Sequence, residues 1–151
     1  MWVSIETAVW ALLIATLMSL AEPLRASPQT DFLLHCSGCH GQAGAGTPDG
    51  GIPDFRGYVS SFMLSPEGRE YVLHVPGVTS AGLSDKEIAE VMNYVMQRWG
   101  LPSHLKQAPL FTKEEVANRA QKTISDVVPL RRQVAAQLRS IGAPVANYPW
   151  P

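Results

Sequence analysis

Ile88, Val91, Met92, Val95 and Trp99 recur at helical spacing on one face of the stretch 84–99. Ser84 and Glu87 stand at its start as an S-x-x-E capping box, and Gly100 and Pro102 follow its end. The pattern predicts an amphipathic helix over 84–99. Two shorter helices are expected upstream. Over 28–36, Pro28 suits a first turn, Asp31 complements the helix dipole, and Phe32, Leu33 and Leu34 supply apolar surface. Over 66–73, Pro66 and Glu67 open the segment, Tyr71 and Val72 give it contacts, and Pro76 with Gly77 stops it.

After residue 100 the pattern loosens and then resumes. Residues 101–110 read as a linker. Thr112 and Glu115 form a second capping box that opens a helix to about 123. Asp126 and Pro129 mark a break and a restart. Leu130, Val134, Leu138 and Ile141 then follow at near-helical spacing, and Gly142 closes the segment. The expectation is a helical hairpin over 101–143 laid on the preceding core. The tail 144–151 is proline-rich and reads as extended, either clipped onto the domain by Tyr148 and Trp150 or disordered. Between the first two helices, 41–51 holds five glycines together with Pro48 and Asp49, which excludes a regular helix or strand. The fold class is all-α.

At 151 residues the chain is expected to form one domain. A net charge of −1 without any basic block gives no support for nucleic-acid binding. Residues 1–21 read as an export segment. The apolar run 8–20 has the length of a signal-peptide core and is short for a membrane span. Ser19, Leu20 and Ala21 suit cleavage after Ala21, with Ala26 as second choice. Glu6 stands where Lys or Arg is expected, so an uncleaved anchor is the alternative. Either outcome puts the following domain outside the cytoplasmic membrane, and in a bacterium that means the periplasm.

The candidate chemistry is concentrated in Cys36-Ser37-Gly38-Cys39-His40. C-x-x-C-H matches the attachment site of a c-type haem. On one helical turn two sulfurs can each join a vinyl group, and the next residue offers an imidazole to the iron. A redox dithiol is a rival, but no alternating strand–helix pattern surrounds the motif. Zinc is another, with His35, Cys36, Cys39 and His40 as ligands, although ligands on one short segment close a tetrahedron poorly. A third is a pair of core cysteines without further role.

CSGCH, the glycine-rich loop after it and LSDKEIAEVMNYVMQRW resemble the small monohaem class I cytochromes c, over roughly residues 31–99. The resemblance implies the class I cytochrome c fold for 28–100, with one covalently bound haem c, Cys36 and Cys39 as its attachment points and His40 as proximal iron ligand. It also implies that the first helix crosses the one ending at Trp99, with Phe32 at the contact. Family members often carry a proline whose carbonyl accepts the proximal histidine's second N–H. Pro53 occupies that place here, or is an ordinary turn proline. Arg56, Tyr58 and Arg69 are the nearest donors for haem propionates, or else solvated surface groups.

The family usually places a methionine ligand in the loop before the last helix, and this chain has His74-Val75-Pro76-Gly77 instead. His74 is the candidate distal ligand, Met63 a second, and an open position the third. Two histidine ligands would give a lower potential than His/Met. The expected function is single-electron transfer between periplasmic partners, for instance a dehydrogenase donor and an oxidase or cytochrome acceptor. A five-coordinate haem sensor, a peroxidase-like enzyme and a bound subunit of a larger oxidoreductase are the alternatives. Arg131, Arg132 and Arg139 are either docking charges for a partner or a solvated face.

Overall fold

The computed structural model describes residues 9–10 and 25–148. Helix α1, Pro28–His35, starts where the Ser27 hydroxyl accepts the Thr30 N–H at 3.2 Å, with proline in its first turn. Helix α2, Pro66–His74, is capped in the same way by Ser65, which accepts from Gly68 at 3.0 Å. Helix α3, Asp85–Trp99, has the complete capping box: the Ser84 N–H donates to Glu87 Oε2 at 2.8 Å, and the Ser84 hydroxyl accepts from the Glu87 N–H. The five positions named for its apolar face are all buried.

Helices α1 and α3 pack together, as the resemblance implies. Phe32 is the contact, 1% exposed, with its ring centroid 4.8 Å from that of Trp99 and 6.0 Å from that of Tyr94. A 3₁₀ segment, Val59–Leu64, lies against α2 and α3 and buries Ser60, Ser61, Phe62 and Met63. The sequence carried no apolar period there because two of the segment's five buried side chains, counting Val59, are hydroxyls.

The extension departs from expectation in three respects. Residues 101–110 are not only a linker, since Pro102–Leu105 forms a helical turn that buries His104. Helix α4, Lys113–Asn118, gives way to a 3₁₀ turn, Arg119–Gln121, instead of running on to 123. The restart comes where expected: helix α5, Val127–Ser140, caps on Asp126 and carries Pro129 within its first turn. The two helices also do not pair as a hairpin: α4 packs on α3, and α5 packs on α2 and the 3₁₀ segment. Val116, Val134 and Leu138 are each at most 1% exposed, and burial of such side chains contributes about 1.5–3 kcal/mol each. These contacts with the core outweigh any contact between the two helices.

Polar bonds hold the extension in place. Arg69 donates to both carboxylate oxygens of Glu115 at 2.6 Å and to the carbonyls of Pro109 and Leu110, and its guanidinium lies 4.2 Å over the Phe111 ring. The Asn93 side chain bonds both backbone groups of Phe111. Beyond α5 the Ser61 hydroxyl donates to the Pro144 carbonyl at 2.6 Å, and Arg131, 5% exposed, donates to that of Ala146. Tyr148 stacks on Arg131 at 4.1 Å, as a clip should. Arg131 is therefore an internal strut and not a docking charge, whereas Arg132 and Arg139 are exposed. Helix α2 ends before Pro76 as expected, with Val75 extended at its C-cap, and Pro76–Thr79 then forms one further turn.

No helix among the described residues is long and apolar enough to cross a membrane. The export segment and the Ala21 cleavage site lie outside the described residues, apart from Val9 and Trp10, which are exposed. Trp150 lies outside them as well.

Candidate haem-binding site

Cys36 closes α1, its N–H bonded to the Phe32 carbonyl, and Ser37–His40 adds one more helical turn. His40 donates its N–H to the Cys36 carbonyl at 3.0 Å, so the two cysteines and the histidine share a single turn. Both cysteines are free, Cys36 half-buried and Cys39 exposed. Burial pushes the Cys36 thiol up, with the negative charge of Asp31 and then Cys39 adding to the effect. A thiol held protonated is a poor redox nucleophile. Among the described residues no three His, Cys, Asp or Glu side chains are grouped to hold a metal ion. Both observations weigh against the dithiol and zinc readings.

Glycine lets the chain turn back over His40. Gly44 and Gly46 have φ of +69°, a region costly to other residues. A Cβ at Gly44 would sit 2.7 Å from the Trp99 indole, and one at Gly46 would collide with the carbonyls of Ile52 and Pro53. Backbone bonds then fix the loop: Gly46 N–H to the His40 carbonyl at 2.9 Å, Phe55 N–H to that of Gly44 at 2.8 Å, and Gly57 N–H to that of Trp99 at 2.7 Å. The result brings Pro53 and Phe55 onto His40.

The His40 ring stacks on that of Phe55 with centroids 4.0 Å apart and planes inclined by 21°. Its Nδ1 is buried without a hydrogen bond of good geometry. Burial lowers the His40 pKa to about 4, and the nearby Pro53 carbonyl opposes that by favouring the protonated ring. At neutral pH the ring is therefore an uncharged imidazole with a lone pair to give, the form that binds a metal. Phe55 was not singled out by its residue type. Its signal was an aromatic two residues after Pro53 in a polar stretch.

The other candidates lie elsewhere. Arg56 is exposed and forms a bidentate pair with Asp54, closest at 2.7 Å. Arg69 is committed to Glu115 and the extension. Tyr58 is half-buried at the start of the 3₁₀ segment. His74 has Nδ1 2.8 Å from the Glu70 carbonyl oxygen and Nε2 3.1 and 3.2 Å from those of Arg119 and Lys122. Carbonyl oxygens face the ring on both sides, and whichever nitrogen carries the N–H donates to one of them, contrary to what a distal ligand requires. Met63 is 2% exposed within the core. Two surface clefts, of about 420 and 330 Å³, border α5 and the 3₁₀ segment respectively, and neither touches the C-x-x-C-H turn.

Comparison with known proteins agrees with this geometry. The chain is 33% identical, over an alignment of 125 residues, to a cytochrome c-552 of Thermus thermophilus, covering 71% of this chain and 91% of that one. The chain belongs to the class I c-type cytochromes. A second cytochrome c-552 of the same organism is similar to this cytochrome to the same degree, with 80% of its length covered. No family model matches the chain. The cofactor of this cytochrome is a single covalently attached haem c. The residues present fit that group: two free thiols on one turn, an uncharged imidazole directly after them with the Pro53 carbonyl beside its ring, and a buried Nδ1 without a partner.

Proposed function

We propose that this cytochrome carries single electrons between redox partners in the periplasm, with haem held by Cys36 and Cys39 and His40 as the proximal ligand. Membership of the cytochrome c family supports the carrier role. The half-buried His40 ring, backed by Phe55, beside the Pro53 carbonyl and with its buried Nδ1 unpartnered, carries the site assignment. When bound, haem c supplies the one-electron iron couple. The chain's part is to hold and insulate. Pro53 offers a carbonyl to His40 Nδ1, which fixes the ring and raises its basicity. Phe32, Tyr94, Trp99 and Phe55 form a contiguous aromatic group beside it, which excludes water from that side. Cys39 is exposed, which favours transfer through that edge.

The apolar run 8–20 supports export. A dehydrogenase as donor and an oxidase or second cytochrome as acceptor are the classes that suit a small exported carrier. Redox titration of the mature protein, followed optically, tests the proposal. A single reversible one-electron wave from covalently bound haem is the expected result. Absence of covalent haem from protein matured in a competent host overturns it.

A further inference from the structure

With haem held as proposed above, the position on the iron opposite His40 depends on what side chains this chain can bring there. The histidines and methionines of the described residues are all accounted for. The nitrogens of His74 face the carbonyls of Glu70, Arg119 and Lys122. The turn that supplies two of these oxygens is tied down on both sides, by Lys122 to Glu70 at 2.9 Å and by Arg119 to Asp85 at 3.6 Å. His104 is buried, its Nδ1 3.1 Å from a Ser60 hydroxyl that also accepts the Leu101 N–H. His35 is exposed at the end of α1. Met63, Met92 and Met96 are core residues, at 2%, 8% and 0% exposure.

The segment between α2 and α3, residues 75–84, contains no His, Met, Lys or Tyr. Its exposed hydroxyls at 79 and 80 are spent on the chain's own backbone: Thr79 donates to the Pro76 carbonyl at 3.2 Å, and Ser80 to the same oxygen at 2.6 Å. Val75, Val78 and Leu83 pack against the core and leave the segment apolar. Such a surface carries no charged side chain to hold an anion. A small uncharged ligand has no charge to desolvate there.

We infer that no side chain of the described residues reaches the iron opposite His40, and that this position takes a small neutral ligand of the ferrous state, such as carbon monoxide. This rests on the haem assignment made above. The turn 119–122 has a part in it, because it holds His74 in bonds to the extension. The step is simple coordination, with one bond formed to iron and no change of oxidation state.

The test uses the full-length mature protein. Covalent haem is quantified first, so that a chain without haem counts against the proposed function and leaves this inference separately testable. The dithionite-reduced protein is then titrated with carbon monoxide and followed optically. The expected result is a high-spin ferrous spectrum that shifts on saturation with one equivalent, equally in wild type, His74→Ala and Met63→Leu. A low-spin ferrous spectrum indifferent to carbon monoxide overturns the inference, and the variant that abolishes it names the ligand. Ferric protein that binds azide as tightly as the ferrous form binds carbon monoxide overturns the assignment to neutral ligands.

Discussion

The loop that closes over His40 and the extension after Gly100 are fastened by different kinds of bond. Around His40 the bonds are backbone to backbone, and they depend on glycines in left-handed conformations and on a carbonyl, that of Pro53, near an unsatisfied ring nitrogen. In the extension they are side-chain bonds: Arg69 to Glu115, Asn93 to Phe111, Ser61 to Pro144 and Arg131 to Ala146. The extension is held chiefly by side chains of the core, Arg69, Asn93 and Ser61, and leaves Arg119 Nη1 and Arg131 Nε buried without a partner. Beside the loop the unpartnered group is the imidazole next to the two thiols, so the loop's stability is the one that depends on the cofactor.

Removing both thiols is expected to have the largest effect. Cys36→Ala with Cys39→Ala should abolish covalent haem, read as complete loss of haem staining after denaturing electrophoresis, while the extension stays folded. Next comes Gly46→Ala, which combines an unfavourable φ with a clash against two carbonyls, at a cost of about 2–4 kcal/mol by denaturant unfolding. That cost should differ between the apo and haem-bearing forms. Arg69→Met removes a largely buried ion pair and two carbonyl bonds and should cost about 2–3 kcal/mol, equally in both forms. An equal response of the two forms to Gly46→Ala would break the comparison.

The smallest effect concerns acid. Burial holds His104 below the usual histidine value. The unfolded chain therefore takes up its proton first, so the stability tied to this group is full above about pH 6.5 and is lost as pH falls from there through the folded value. His104→Gln should flatten the decline of melting temperature below about pH 6.5, leaving the haem spectrum unchanged.

The parts of the fold legible in the sequence were those governed by local rules. Helix α3 carried its period, its capping box and its terminating glycine between Ser84 and Gly100, and it formed as read. The motif at Cys36–His40 was equally local, and so was the inability of 41–51 to form a regular element. What escaped was decided at long range. No feature near Arg69 indicates that its partner is Glu115, and none near His74 indicates that the carbonyls of Arg119 and Lys122 would engage it. The hairpin expected after residue 110 failed for the same reason: amphipathic spacing shows that a helix has a face to bury but not which helix it is buried against. Ser60 and Ser61, fully buried, carry no apolar signal at all.

The hydrogen bond from Ser61 to Pro144 spans 83 positions, and Arg131 reaches Ala146 from the other side of the same tail. Contacts of that separation are slow to form and come late in folding. A chain delivered N-terminus first exposes Cys36 and Cys39 well before its last anchoring residues arrive. The order of the sequence thus leaves an interval in which both sulfurs stand on open chain, before the native core has closed behind them.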